Sequence, residues 1–230
     1  INYNAETGEV YNYNNENVQH LLDNRQKYLV PLQQKGIKVI LGILCNHDRA
    51  CCTRLGDEAA RKFARELKAK LEAYELDGVF FDDEYCNRGD YPGFTTYNNF
   101  SRLCYEVRKA MPNALIQAYV YSGTSSCGPV DGMQPGEFVT QAIQDYGRYY
   151  DLESDYPGLP KSGMIQASSE FARGSIISEN RARQIVTDGY GGTMIFSLNP
   201  NNGYVYRFNN ITIPFYGEET VQTGSYAKDW

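Results

Sequence analysis

The sequence predicts an α/β fold built around a parallel sheet, and three observations carry that prediction. Helical and strand-like segments alternate from one end of the 230 residues to the other. The strand-like runs are continuously apolar, as strands covered on both faces are. Polar and ionisable residues gather where those runs end, at Asn46-His47-Asp48, Asp82-Asp83-Glu84, Tyr121-Ser122, Gln144-Asp145-Tyr146, Ser168-Ser169-Glu170 and Asn199. Six strands leave two architectures open, a doubly wound open sheet or a (β/α)8 barrel lacking its first strands. No GxGxxG or GxxxxGK[ST] opens a helix, which weakens the nucleotide-binding open sheet. A polar rim at strand C-terminal ends is where barrel enzymes assemble their sites.

The chain opens on INYNAETGEV, which reads as a strand end running into a polar loop. ENVQHLLDNRQKYLVPLQQKG (16–36) spaces Val18, Leu21, Leu22 and Leu29 as a helix does and stops at Gly36, a C-terminal cap. IKVILGIL (37–44) is the first full strand. DEAARKFARELKAKLEAYE (57–75) is a helix with acids in its first turn and Ala, Leu and Lys throughout. LDGVFFDDE (76–84) is the next strand, followed by a helix over 95–112 closed by Pro112 and a strand over 114–122. Further strands are expected at 138–147, 161–171 and 191–200, the last two separated by a helix at 178–189. No repeat or low-complexity linker divides the chain, so a single domain over 1–230 is expected.

Composition narrows the partners. Net charge is −6 with the basic residues scattered, which argues against a phosphate-backbone partner and so against nucleic acid. No run approaches the roughly 20 apolar residues of a membrane helix, so no membrane span is expected. Twenty Tyr and ten Phe supply flat faces with polar edges, suited to sugar rings as well as to a core. Six cysteines follow no CxxC spacing and have only His20 and His47 for company, so no metal and no cofactor are expected. One or two disulfides are compatible with an exported protein, in a pairing that sequence does not reveal. Cys104, on a helical pattern, reads as a free buried thiol.

Three adjacent carboxylates ending an apolar strand need explaining. Alternation puts Gly78, Phe80, Asp82 and Glu84 on one face and Val79, Phe81 and Asp83 on the other. Asp82 and Glu84 then have Cα atoms roughly 6.5–7 Å apart. Two such carboxylates do not both ionise freely, so one keeps a proton for use as a general acid. Glu84, outermost and longer, is expected to be that acid, and Asp82 to stay ionised. Asp83 is expected to be structural, hydrogen-bonded to backbone at the rim. Two acids on one strand approach a sugar from the same side, which does not suit a glycosidase that places carboxyl groups on opposite sides of the bond. The difficulty disappears if a 2-acetamido group of the substrate attacks its own anomeric carbon.

These residues carry a resemblance. DGVFFDDE matches the DGxDxDxE signature of glycoside hydrolase family 18, with Asp77, Gly78, Asp82 and Glu84 in register and Phe80 in place of the middle Asp. LDGVFFDDEY with GIKVILGILCNHDR, YVYS, YPGLPKSGM and YGGTMIF resembles the bacterial endo-β-N-acetylglucosaminidases of the F and H types along nearly the whole chain. The resemblance implies a (β/α)8 TIM-like barrel whose first strand and most of the second are expected to precede Ile1. It implies cleavage between the two core GlcNAc residues of N-glycans of high-mannose or hybrid type, with retention by substrate assistance. By the same likeness Glu84 is the general acid/base and Asp82 orients the acetamido group. Tyr146 hydrogen-bonds the acetamido oxygen, and Gln144 positions the same ring. GTMIFSLN resembles the family's GxMxWxxD strand, with Phe196 for the Trp that floors the sugar subsite and Asn199 for the Asp. In chitinases the Asp that Phe80 replaces shares a proton with its neighbour, so Asp82 here is expected to titrate mainly against Glu84.

Asn46 is expected to reach sugar hydroxyls, His47 to be a rim residue rather than a metal ligand, and Tyr121 either to line the glycan groove or to be half-buried on its strand, not to be told apart from Tyr119 on the same face. Phe196 is either a sugar platform or core filler. A catalytically silent glycan-binding protein on the same barrel and a chitinase are the alternatives. Retention of Glu84 favours an enzyme over the first, and Phe80 with the F/H-like flanks argues against the second. The expected partner is the N-glycan of a glycoprotein, met by a monomer. Because N-glycans lie outside bacterial cells, export is expected, whether to the medium, the periplasm or the cell surface.

Overall fold

A computed structural model describes the chain except for Asn46, Asp48, Asn87, Arg88, Asp90, Pro200, Asn202, Gly203, Thr223, Tyr226, Trp230 and the side chain of Val205. It forms two compact units, Ile1–Gln141 with Glu153–Leu159 and Ala142–Leu152 with Pro160–Trp230. Among the described residues no helix is long and apolar enough to cross a membrane.

The first unit opens on an antiparallel hairpin of β1 (Asn2–Asn4) and β2 (Glu9–Tyr11) rather than on a strand end and a loop. The helix expected over 16–36 is three: α1 (Glu16–Asp23), α2 (Arg25–Tyr28) and α3 (Val30–Gln34). Asn15 caps α1 by accepting from Val18 N at 2.9 Å. Asn24 leaves helical geometry, and its amide donates back to the His20 carbonyl at 2.9 Å. Pro31, lacking an N–H, fits only the first turn of a new helix. Gly36 adopts φ +82°, as a terminating residue must.

Strands β3 (Ile40–Leu44), β4 (Gly78–Asp82) and β5 (Leu115–Val120) run parallel in that order, joined by α4 (Asp57–Tyr74) and α5 (Phe100–Ala110). Helix α4 buries Ala60, Phe63, Ala64, Leu67 and Leu71, a stripe at helical spacing, and packs against α5. Helix α5 starts later than the expected 95, because Thr95 turns back to the Arg54 carbonyl at 2.8 Å. Leu41, Val79 and Ile116 form one cross-strand row and Ile43, Phe81 and Ala118 the next, none more than 6% exposed. Phe81 meets Phe100 of α5 edge-on at 5.7 Å. The other face differs: Gly42 and Leu44 are exposed and Phe80 and Asp82 half-buried. Burial of β3 on both faces was therefore a misreading of an apolar run whose alternate positions hold a glycine and a solvent-facing Leu44. A short α6 (Pro135–Phe138) leads into β6 (Gln141–Gln144), at whose first residue the unit ends.

In the second unit β6 pairs with β7 (Met164–Ile165), and β8 (Ser169–Glu170) pairs with β9 (Ile195–Phe196), both in parallel. The strand expected over 161–171 is split because Ala167 turns to φ +50°. The strand expected at 191–200 shrinks to β9, bounded by Ser197 at φ +52°. Helix α7 (Glu179–Thr187) falls inside the expected 178–189, capped by Ser178. Helix α8 (Asn209–Tyr216), which encloses Pro214, was not expected. Ala167, Phe171, Ile176, Ile177, Ala182, Ile185 and Ile211 form this unit's core.

Two residues of the DGxxxDxE motif are structural. Asp77 accepts from Val39 N at 2.8 Å, from Gln33 and from Lys38, fixing the start of β4 to β3. A Cβ on Gly78 would stand 2.1 Å from the Leu115 carbonyl oxygen, so only glycine lets β5 approach. Gly78→Ala should destabilise the fold by about 3 kcal/mol, the upper part of the usual overpacking range, read as a lower urea midpoint.

Candidate active site

The end of β4 sorts its three acids by alternation. Asp83 is 2% exposed on the helix-facing side, while Asp82 and Glu84 are half-buried on the other. Asp83 accepts from Cys52 N at 2.6 Å, from the Thr53 hydroxyl, and from the Cys45 thiol at 3.0 Å. Its structural reading, with backbone hydrogen bonding, agrees with this geometry. Asp82 has the opposite environment: its Oδ1 is buried and has no hydrogen-bond partner among the described residues. Burial first, then the charges of Glu84 and Asp83, push its carboxyl up to about 7. Two expectations are corrected here. Asp82 does not stay ionised through the acidic range, and burial rather than Glu84 is the larger cause.

Glu84 lines a cavity of about 330 Å³ together with Asp83, Tyr85, Cys86, Tyr121 and Ser122. Tyr121 is 44% exposed and stacks on Tyr119, with centroids 6.0 Å apart. Tyr119 is only 6% exposed and meets Phe80 edge-on, so the two tyrosines that sequence left indistinguishable separate into a rim residue and a core residue. His47 is exposed and rests its ring 4.8 Å from that of Tyr85. Asn46, and Asp48 beside it, lie outside the described residues. A larger hollow of about 500 Å³ lies at the other end of β4, near Leu71, Asp77 and Met111. Its one motif residue, Asp77, is already committed to structure, so the smaller cavity is the candidate.

In the second unit Gln144 is fully buried at the end of β6. Its Nε2 donates to the Tyr150 carbonyl at 3.3 Å, and its Oε1 has no partner among the described residues. Tyr146 is half-buried, its ring 6.4 Å from Phe196. Phe196 is 51% exposed, which excludes the core-filler reading. Asn199 accepts from Asn201 N at 2.9 Å and shapes a turn.

Sequence reasoning missed Tyr85 in the cavity, and Gln166, which holds Tyr150 at both its N–H and carbonyl. It also missed the pairing of Cys51 with Cys86, a disulfide spanning 5.5 Å between Cα atoms. Cys45, Asp83 and Cys86 bring ligand atoms within 4.8 Å of one another, but Cys86 is consumed by that bridge.

No family model matches the chain. Over its whole length it is 50% identical to endo-beta-N-acetylglucosaminidase F1 of Elizabethkingia meningoseptica, covering 71% of that protein. Over 95% of its length it is 33% identical to an endo-beta-N-acetylglucosaminidase of Flavobacterium sp. (strain SK1022), covering 69% of it. The chain belongs to the bacterial endo-β-N-acetylglucosaminidases of glycoside hydrolase family 18. Within this family it resembles the solved Bacteroides thetaiotamicron EndoBT-3987 with Man5GlcNAc product, at TM-score 0.85 and 34% identity over 95% of the chain. The same enzyme in complex with Man9GlcNAc2Asn substrate matches at TM-score 0.85 and 33% identity over 95% of the chain. The chain spans about half of those two, 52% and 56% of their lengths. A Rhizomucor miehei chitinase, 13% identical at TM-score 0.56 over 92% of this chain and 90% of its own, shares the fold. The architecture is accordingly the α/β barrel type of this glycoside hydrolase family.

The raised Asp82 carboxyl has a consequence for stability. The folded state holds this proton up to about pH 7, whereas an unfolded Asp releases it near 4. Between those values the unfolded state has already ionised, so Asp82 contributes less to stability as pH rises. Asp82→Asn, which has no proton to lose, should raise Tm by a few degrees over the parent at pH 8. The difference should close by pH 4, in melts followed by circular dichroism.

Proposed function

We propose that the chain hydrolyses the β-1,4 bond between the two core GlcNAc residues of N-glycans, of high-mannose or hybrid type, by substrate-assisted retaining catalysis. The observation that carries this reading is Asp82, whose buried Oδ1 has no partner among the described residues and which stands two positions before Glu84 of the cavity wall. A buried acceptor left unpaired is costly, and a substrate N–H would satisfy it. An acetamido group offers that donor next to the anomeric carbon.

In this mechanism Glu84 donates a proton to the leaving glycosidic oxygen. The acetamido oxygen attacks C1 from the opposite face and forms an oxazolinium ion, while Asp82 accepts the N–H and balances the positive charge. Water, deprotonated by Glu84, then opens the ring at C1, so two inversions give retention. The likeness of Gln144-Asp145-Tyr146 to the family's Gln-x-Tyr pair assigns Tyr146 to the attacking oxygen and Gln144 to the same ring. Exposed Phe196 serves as a sugar platform and Tyr121 as a groove wall. Asn46 is assigned to sugar hydroxyls. The protein acts as an exported monomer forming a single barrel domain, on glycoproteins outside the cell.

Incubating the protein with a denatured high-mannose glycoprotein should leave one GlcNAc on each site, seen by mass spectrometry of the glycopeptides. Glu84→Gln should lower kcat by ~10²–10⁴-fold, the usual worth of a general acid, with glycan affinity retained. Glycan binding without release by the parent chain would instead indicate a lectin, and release from chitin but not from glycoprotein a chitinase. The pH profile supplies a separate check. An N–H donated to Asp82 favours its anion, so the ionisation near 7 should appear in kcat/KM, which reports the free enzyme. In kcat it should move to lower pH.

A further inference from the structure

Nothing in the proposed reaction uses Asp83, yet it is the acid into which the surrounding chain directs its donors. Cys52 N, the Thr53 hydroxyl and the Cys45 thiol all converge on its carboxylate. The Cys45 thiol is fit to donate, since a hydrogen bond with the Cys52 thiol and burial both raise it and keep it protonated. Two of the three donors lie in one short turn, Cys52–Arg54. Cys51, at the head of that turn, is bonded to Cys86, two residues beyond Glu84.

The arrangement places Glu84 inside a clamp. Among the described residues the register of β4 with β3 runs as far as Leu44 opposite Asp82. Beyond it Tyr85 turns to φ +61°, a left-handed conformation that needs outside support in a residue with a bulky side chain. The span 83–86 is fixed at both ends to the same turn, by hydrogen bonds at Asp83 and by a covalent bond at Cys86. The turn is anchored in its own right: Asn99 N donates to the Thr53 carbonyl at 2.6 Å, and Thr95 N to that of Arg54 at 2.8 Å. Thr53 also packs on the backbone beside Tyr121 and Ser122, for a Cβ added to Gly123 would lie 2.7 Å from its Cγ2. One turn therefore supports both walls of the cavity.

We infer that Asp83 is a positioning residue for Glu84, acting through the Thr53 turn and the Cys51–Cys86 bridge rather than on substrate. The inference rests on the reading of Glu84 as the acid. A carboxyl held on an irregular segment reaches the glycosidic oxygen only if that segment is fixed, and displacement by about 1 Å is enough to cost on the order of 10²-fold in rate.

The test uses the full chain and a high-mannose glycopeptide, with the folded fraction followed by circular dichroism at the assay temperature. Asp83→Asn keeps the shape but replaces an acceptor with an amide that cannot accept from all three donors. It should lower kcat by about 10–100-fold with KM within about threefold, as displacement of the acid without loss of the sugar subsites requires. Thr53→Val should lower kcat about tenfold, and Thr53→Ser, which keeps the hydroxyl, should stay within about twofold of the parent. The double variant Cys51→Ser/Cys86→Ser should lose kcat while its glycan affinity, measured with Glu84→Gln also present, is unchanged. Parental kcat in folded Asp83→Asn overturns the inference. So does an equal loss in the two Thr53 variants, which marks packing rather than hydrogen bonding and decides the matter if Asp83→Asn does not fold. An inactive parent chain, or a fully active Glu84→Gln, removes the reading of the acid and this inference with it. An active parent with a dead Glu84→Gln and a normal, folded Asp83→Asn removes this inference alone.

Discussion

The period of two along β4 is the constraint on which the rest of the site depends. Consecutive carboxylates at the end of one strand would repel in a common solvent, but alternation divides them between two environments. Asp83 turns to the side of the α4–α5 layer, where backbone, hydroxyl and thiol donors meet it. Asp82 and Glu84 turn to the other side, where Asp82 lacks such a donor for its Oδ1 among the described residues. A slip of one residue would exchange these environments, turning Asp82 and Glu84 towards the donors and Asp83 away from them. Asp77 and Gly78 prevent the slip. The carboxylate of one bonds Val39 at the start of the pairing, and the missing side chain of the other admits the Leu115 carbonyl. The motif thus sets at its first two positions the register that fixes where its last two point.

The electrostatics follow from that division. A carboxylate surrounded by donors is stabilised as an anion, whereas one buried without them is not. The fold tolerates an uncompensated acceptor at Asp82 because the neighbouring rows are closed, with Val79 and Phe81 wholly buried and Asp77 satisfied at the base of the strand. Gln144 repeats the pattern in the second unit, with one end of its amide held by the Tyr150 carbonyl and the other without a partner among the described residues. Both unpaired acceptors occur on residues singled out from sequence as substrate contacts. A ligand that donates to either oxygen would supply the missing partner and offset the cost of leaving it bare.

How much of this was legible depended on whether the signal was local. Helix α4 was readable to within a residue because its apolar stripe, acidic first turn and good helix formers agree. The face assignment of Asp82, Asp83 and Glu84 needed only alternation. The 16–36 segment misled because Asn24 and Pro31 sit within a pattern whose hydrophobic spacing runs through them. The fragmentation of 161–171 turned on the left-handed Ala167, which has no sequence signature, since left-handed positions are ordinarily read from Gly or Asn. Helix α8 was hidden by Pro214 and two leading asparagines. The Cys51–Cys86 bridge and the Thr53–Asp83 bond join residues about 30 apart in sequence that meet only because β3 and β4 are neighbours. No spacing rule reaches them.

Phe80 illustrates how a departure from a motif can preserve what the motif achieves. In the family-18 signature a third acid stands on this face below the position of Asp82 and shares its proton, so like charge keeps one carboxyl protonated. Here an aromatic ring stands there, half-buried and edge-on to Tyr119. It brings no charge, and burial is the largest cause of the raised Asp82 carboxyl. Like-charge crowding and desolvation both disfavour the anion, and either brings an aspartate towards neutrality. The difference lies in what reverses the effect. A shared proton is released when its partner acid is rearranged, whereas a desolvated carboxyl ionises when a donor arrives at its bare oxygen. Under the proposed mechanism, the charge on Asp82 would be tied to occupancy of the site, with the substrate's own N–H as the group that brings the anion back.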